Sequence, residues 1–333
     1  MADIISKNRK FIMGIAIIWV ALYHIPSHTA LPIVHFLQDI GYGGVDIFIF
    51  VSGFGIYYSL KKNSDTTAFL KRRMLRLLPA YLPFVLIWMV VRYVSYQLYF
   101  TEICGNLTMS GWWNGDGNQF NWYIDAIVLF YILSPYIYGL LVDDSKCMNK
   151  DTNKYIKLAT MIIVSFIISF AFLHGQLLMA MSRLPVFILG MIVGYTSNDE
   201  KLNAVFTNKW TYCLLLIVMI MGFGLMYYCL YLQDRLDKWH YGLWWYPFVL
   251  IVPGLTLVLG KIGEWLQCLK IIQLIGDASF EIFLWHLFIF ETAQAKHIEG
   301  TVIWIILYVT AFCAGILYHM IVSGICNRIK KVN

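Results

Sequence analysis

Charge is what this chain has least of. Only 13% of its 333 residues are Asp, Glu, Lys or Arg, against 60% apolar residues and a mean hydropathy of +0.67. Globular chains carry about a quarter charged residues, so a water-facing soluble domain is excluded as the main body. The seven cysteines form no CxxC pair and stand at no His/Cys spacing that would hold zinc, which removes structural zinc and dithiol redox sites and leaves no metal assigned. No Ser elbow, P-loop, HExxH or GxGxxG occurs. Hydrolase, NTPase and dinucleotide readings therefore have no support. Internal repeats, low-complexity tracts and a linker to a second domain are absent too.

What is there is a succession of apolar runs. Taken between polar punctuation they fall at 11–26, 41–60, 77–98, 121–142, 156–173, 177–197, 210–232, 242–260, 273–291 and 301–324, each near the roughly 20 residues that a membrane-spanning helix needs. The expected fold is all-α: one polytopic bundle of about ten spans over residues 1–333, with membrane lipid as its surroundings. The first run lacks a small-residue cleavage pattern, since Tyr23, His24 and Pro26 follow it, and is expected to be retained. With a cytoplasmic N-terminus, 20 of the 25 Lys and Arg residues fall on the inner side and three (Arg235, Lys238, Lys296) outside, with Arg92 and Arg183 inside spans. That asymmetry places both termini in the cytoplasm of a cell-membrane protein. It also accounts for the net charge of +6 without a nucleic-acid partner.

Ionisable side chains inside apolar runs are expensive and mark function or pairing. His24 ends the first run, 14 residues after Lys10, roughly 21 Å along a helix at 1.5 Å per residue. Asp46 lies near the start of the second run, which returns inwards, so both belong to the outer half of the bilayer. A carboxylate beside an imidazole fixes its tautomer and raises its basicity, as a general base requires; a structural hydrogen bond between helices is the other reading. Ser52 and the nearby glycines suit close helix approach or a break in the helix. Arg72, Arg73 and Arg76 cluster at the inner boundary. Guanidinium groups bind phosphate in bidentate fashion, so a phosphorylated cytoplasmic donor or an anionic lipid headgroup fits them. Later runs add Asp125, Arg183, Glu281 and His286. Arg183 can neutralise one of the acids, and His286 is a second pathway residue or a donor to a backbone carbonyl. Trp112, Trp113, Trp122, Tyr123, Trp239, Tyr241, Trp244 and Trp245 crowd the outer boundary as an aromatic belt or as platforms for sugar rings. The stretch 101–120 is glycine-rich and free of basic residues, and is expected to be a flexible outer loop. His28, His35, His240, His297 and His319 receive no role.

Several stretches together resemble a known family. Tyr23-His24, GVDIFIFVSGF at 44–54, KRRMLRLLPAY at 71–81 and NWYIDAIVLFYILSP at 121–135 resemble, in order, the motifs of the integral-membrane acyltransferase family 3, the bacterial sugar and polysaccharide O-acyltransferases. SRLPVFILGMIVGY at 182–195 and IGDASFEIFLWH at 275–286 resemble its later segments. The resemblance implies ten helices around a donor tunnel, with acyl-CoA, most simply acetyl-CoA, as cytoplasmic co-substrate and a glycan or glycoconjugate hydroxyl as acceptor near the outer side. It also implies His24 as catalytic base, supported by Asp46, with Arg72 and Arg73 on the donor. The family often has Arg or Lys eleven residues before the histidine; Met13 stands there, with Arg9 and Lys10 a turn earlier. A reading of different class is a transporter or exporter of a glycan or small polar solute, with His24, Asp46, Glu281 and His286 as relay residues.

Overall fold

The structure, a computed structural model, describes residues 1–332 except 27–30, 96–98, 114–120, 144–149, 172–176, 233–243 and 267. Several residues singled out above therefore lie outside the described residues: His28, Trp239, His240, Tyr241, Arg235, Lys238 and the glycine-rich part of the outer loop. In chain order the helices are α1 (Ala2–Tyr23), α2 (Pro32–Asp39), α3 (Gly43–Lys62), α4 (Thr66–Ser95), α5 (Phe100–Thr108), α6 (Asn121–Val142), α7 (Lys150–Ala171) and α8 (Leu178–Met181). They continue with α9 (Leu184–Thr196), α10 (Glu200–Thr207), α11 (Lys209–Tyr227, ending in a π-turn at Tyr228–Leu232), α12 (Pro247–Trp265), α13 (Lys270–Asp277), α14 (Ser279–Ala295) and α15 (Thr301–Val332). No strand occurs among the described residues.

Among the described residues, eight helical stretches are long and apolar enough to cross a membrane, and the bent pair α13–α14 makes a ninth if it is one span. The tenth expected span is α1. It is helical, but Lys7, Arg9 and Lys10 occupy its first half, leaving Phe11 to Tyr23 as its apolar part, about 20 Å of helix against a hydrocarbon core of about 30 Å. Spans differ sharply in surroundings. Of the Leu178–Thr196 stretch 89% is buried by protein, against 17% for Lys209–Leu232 and for Thr301–Arg328. The last two present Leu214, Ile217, Ile220, Val302, Ile305 and Ile306 outwards, as lipid-facing helices do, because hydrocarbon imposes no penalty on apolar side chains.

The chain packs as two compact units. The first comprises residues 1–9, 46–70 and 125–265, the second 10–45, 71–124 and 266–333. In the first unit, α3 and α9 meet backbone to backbone. A methyl group on Gly53 would strike the Phe187 carbonyl, and one on Gly190 would strike the Phe50 carbonyl; small residues at such crossings are the usual device of membrane helices. Phe130 stacks on Phe187 in the same layer, ring centroids 4.8 Å apart.

In the second unit, α14 packs on α15 around Phe290, Ala293, Trp304 and Ala311. Phenols there donate to backbone carbonyls of neighbouring helices. Tyr81 donates to the Asn106 carbonyl at 2.8 Å, Tyr318 to that of Ala80 at 2.7 Å and Tyr308 to that of Ile18 at 3.2 Å. α4 begins at Thr66, eleven residues before the expected third span, because the Lys71–Arg76 stretch is made of good helix formers. The expected outer loop likewise contains a helix, α5, whose first turn is closed by Glu102 accepting from the Tyr99 N–H at 3.0 Å; a residue at that position reaching back to the cap amide is a standard start signal.

Candidate active site

The site builds up from two helix segments of the second unit. His24 follows the last residue of α1, where carbonyls lack intrahelical partners, and its Nδ1 lies 2.9 Å from the Val20 carbonyl. A carbonyl oxygen only accepts, so Nδ1 carries the proton and Nε2 of the neutral ring holds the lone pair. His286, in the middle of α14, repeats the arrangement, its Nδ1 donating to the Ile282 carbonyl at 3.0 Å. The two imidazoles meet edge to face with centroids 5.2 Å apart. His286 is fully buried, its Nε2 has no hydrogen-bond partner among the described residues, and Phe283 and Phe290 flank it. Tyr23 packs its ring edge to face on His24 at 4.9 Å and on Tyr42 at 5.4 Å.

His24 faces open space. A cavity of about 250 Å³ is lined by Tyr23, His24, Ile25 and Pro26 from the end of α1 and by Leu287, Phe290, Glu291 and Gln294 from α14. Glu291 and Gln294 were not singled out by sequence. Both stand late in an apolar run, where polar residues are ordinary boundary markers; their separation of three places them on one helix face, and only the end of α1 opposite gives that face a meaning.

Below the cavity α14 begins at a sharp bend. Its axis turns 76° from that of α13 across Ala278, and a carboxylate contact stands on each side of the turn. Lys10 meets Asp277 at 2.6 Å before it, and Glu281 meets His319 at 3.1 Å after it, with Ser323 3.4 Å from the other nitrogen of His319. Glu281 also occupies the first turn of α14, where the helix dipole favours a carboxylate. Lys10, one of the two basic neighbours of Met13, is therefore engaged by Asp277. His319 carries no signal in the sequence, because its pairing depends on the register of two separate helices.

Asp46 belongs to the first unit, where Arg183 is its partner: the Nε and Oδ1 atoms are 3.7 Å apart and both side chains are enclosed. Arg183 further donates to the Met179 carbonyl at 2.9 Å and to Ser182 Oγ at 3.0 Å, and its guanidinium lies 4.5 Å over the Trp245 ring. This identifies the acid that Arg183 neutralises as Asp46. Ser52 sits on α3 beside Gly53 at the α9 crossing. Arg72, Arg73 and Arg76 lie on α4 at spacings of three and four, which gathers them on one side of the helix; Arg72 and Arg76 are exposed and Arg73 is half-buried. Trp122 is 9% exposed and packs on Tyr123, and Tyr123 in turn packs on Phe283 at 5.0 Å, so these rings are core rather than open platforms. Among the described residues no three His, Cys, Asp or Glu side chains gather to hold a metal ion.

The family model described as "Acyltransferase domain" matches residues 11–323. Curated relatives include the O-acetyltransferase OatA of Staphylococcus aureus strains NCTC 8325 / PS 47, COL and MRSA252, each 24% identical over 351 aligned positions that cover 94% of this chain and 56% of the relative. The chain thus spans little more than half the length of these relatives. No solved structure matches it.

Proposed function

The chain belongs to the acyltransferase-domain family, and from that premise we propose that residues 1–333 act as one multi-pass O-acyltransferase domain of the cell membrane, both termini cytoplasmic. The acyl group, acetyl by the name its relatives carry, passes from a coenzyme A thioester to a hydroxyl of a cell-envelope or exopolysaccharide glycan. One observation carries the reading. His24 stands at a cavity with Nδ1 committed to the Val20 carbonyl, so Nε2 is the nitrogen free to accept a proton.

His24 Nε2 takes the acceptor hydroxyl proton as that oxygen attacks the thioester carbonyl, then returns it to the departing sulfur as the carbon–sulfur bond breaks. The Val20 carbonyl, facing Nδ1–H, favours the transient imidazolium, since a hydrogen bond to a charged donor is stronger than one to a neutral donor. His286 holds the His24 ring edge-on and, being buried and neutral, limits its rotation. Arg72, Arg73 and Arg76 hold the phosphates of coenzyme A, which a planar guanidinium fork matches. Asp46 with Arg183 forms a neutral, enclosed pair that supports the helices of the signature region.

Liposomes containing the protein, supplied with acetyl-CoA and candidate glycans, test the proposal. Release of free coenzyme A that requires both protein and glycan is the expected result. Glycan movement across the bilayer with acetyl-CoA left intact would replace acyl transfer by transport.

A further inference from the structure

Resting on the acyl-transfer reading for its donor, we infer that Ser323 is a nucleophile activated by His319 and Glu281, which takes an acyl group from a thioester and holds it as an ester. Three polar side chains of the second unit stand in a row. Glu281 Oε1 faces His319 Nδ1 at 3.1 Å, and Ser323 Oγ lies 3.4 Å from His319 Nε2. The carboxylate favours the proton on Nδ1 and leaves the lone pair of the neutral ring on Nε2, toward the hydroxyl. A nucleophile within reach of a base, with the base oriented by a third group, is the arrangement that makes a hydroxyl reactive, and such contacts are often long before substrate binds.

This row departs from the chain's own pattern. Hydroxyls in its helices donate to the carbonyl four residues back at Ser134, Thr256, Thr292 and Thr310, and the Nδ1 atoms of His24 and His286 face the same kind of carbonyl. His319 and Ser323, four apart on one face of α15, turn to Glu281 and to each other instead. Close helix approach sets the register. At Gly315, one turn before His319, a methyl group would strike the Ile282 backbone, so α14 and α15 meet where Glu281 comes opposite the imidazole.

The donor belongs at this end of the helices. Tyr318 donates to the Ala80 carbonyl, which sets α15 and α4 level at that point. Ser323 lies five residues beyond Tyr318 toward the basic end of α15, and Arg76 and Arg73 lie four and seven residues before Ala80 toward that of α4. At 1.5 Å per residue these are offsets of about 7.5, 6 and 10 Å, so the hydroxyl and the arginines that would hold coenzyme A share a depth. Ser323 Oγ attacks the thioester carbonyl as its proton passes to His319 Nε2; the carbon–sulfur bond breaks and the sulfur leaves with that proton. The product is O-acyl-Ser323 and free coenzyme A. Met320 and Ile321 beside it point outwards as lipid-facing residues do, where water is scarce, so the ester persists. Phe290 of the His24 cavity is nine residues beyond Glu281 on α14, about 14 Å, and Ser323 lies a turn further away, which makes this a centre separate from His24.

Peptide mass spectrometry on the full chain in lipid nanodiscs tests this. With acetyl-CoA and no glycan, native protein should gain a hydroxylamine-labile acetyl group on Ser323 and release a single burst of coenzyme A, the mark of an accumulating acyl-enzyme. A fluorophosphonate probe, which needs no donor, should label the same residue. Ser323→Ala, a change of one atom that leaves folding intact, should lose both labels. His319→Gln should slow both by about 10²–10⁴-fold, the contribution of a positioned base. Ser323 left unmodified by both reagents, or labelled equally fast in native protein and His319→Gln, would overturn the centre. Fluorophosphonate labelling without acetylation, in protein that turns over acetyl-CoA with glycan, would overturn the thioester as its source. Acetyl-Ser323 in protein that transfers nothing to any glycan would keep the centre and remove the proposed function instead.

Discussion

The histidine pair of one unit and the ion pair of the other are both polar couples in a chain that has few polar residues, and they are built on opposite plans. His24 and His286 need no charge: each ring gives Nδ1–H to the carbonyl four residues back in its own helix and leaves Nε2 uncommitted. Asp46 and Arg183 gain from their charges, which are tolerable only together. Their 3.7 Å separation is completed by the Trp245 face and two local acceptors on the arginine side. A cavity lies beside the first couple. Burial alone thus does not mark the chemical site in a membrane protein. On the proposed reading an uncommitted lone pair at an opening marks it, whereas mutual neutralisation marks support.

The comparison is most easily broken at the ion pair. Arg183→Met leaves Asp46 enclosed without its partner, and breaking a buried pair typically costs about 3–5 kcal/mol; Asp46→Asn combined with Arg183→Met should restore most of the loss. Thermal unfolding in detergent measures both, and a single variant as stable as native protein would mean that the pair does not support the fold. His286→Phe sharpens the other side, keeping a ring against His24 without a lone pair. It should lower kcat about tenfold, less than the 10²–10⁴ supplied by a group that itself moves the proton, and an unchanged kcat would reduce His286 to packing.

The smallest effect is expected at Asp199, outside the spans. Its hydrogen bond from Lys154, reinforced by the N–H of Leu202, holds its carboxyl below the ordinary value. A carboxyl lowered in the folded state adds stability that is complete above its unfolded value near pH 4 and disappears as pH falls through the lower folded value. Asp199→Asn keeps the helix cap and loses the charge. The stability difference from native should be at most about 1 kcal/mol, the scale of a surface pair, constant above about pH 5 and vanishing under acid. A difference that grew on acidification would contradict the sign.

Much of this was legible in the sequence because hydrophobic run length is a one-dimensional signal. The runs from 41 to 324 reappear as helices with most ends shifted by a few residues; charged helix formers carry α4 eleven residues further back, and α15 runs eight residues past the expected end. The bend at Ala278 was not legible, since GDASFE interrupts an apolar pattern no more than a boundary would. Partners were the least accessible. The sequence marks Arg183 as needing an acid, but Asp46, Asp125 and Glu281 were equivalent candidates until α3 and α9 were seen to cross at Gly53 and Gly190. His319 and Glu291 show the same gap. Each is one polar residue near the end of a run, and only the packing of α14 against α15, or against the end of α1, gives it a neighbour.

The most direct measurement is coenzyme A release by His24→Ala, with and without free imidazole, in the liposome assay that supports native turnover. The account predicts a loss of about 10²–10⁴-fold, the usual contribution of a positioned base, with folding intact and partial recovery as imidazole enters the space the side chain vacated. Turnover by His24→Ala at the native rate would contradict it.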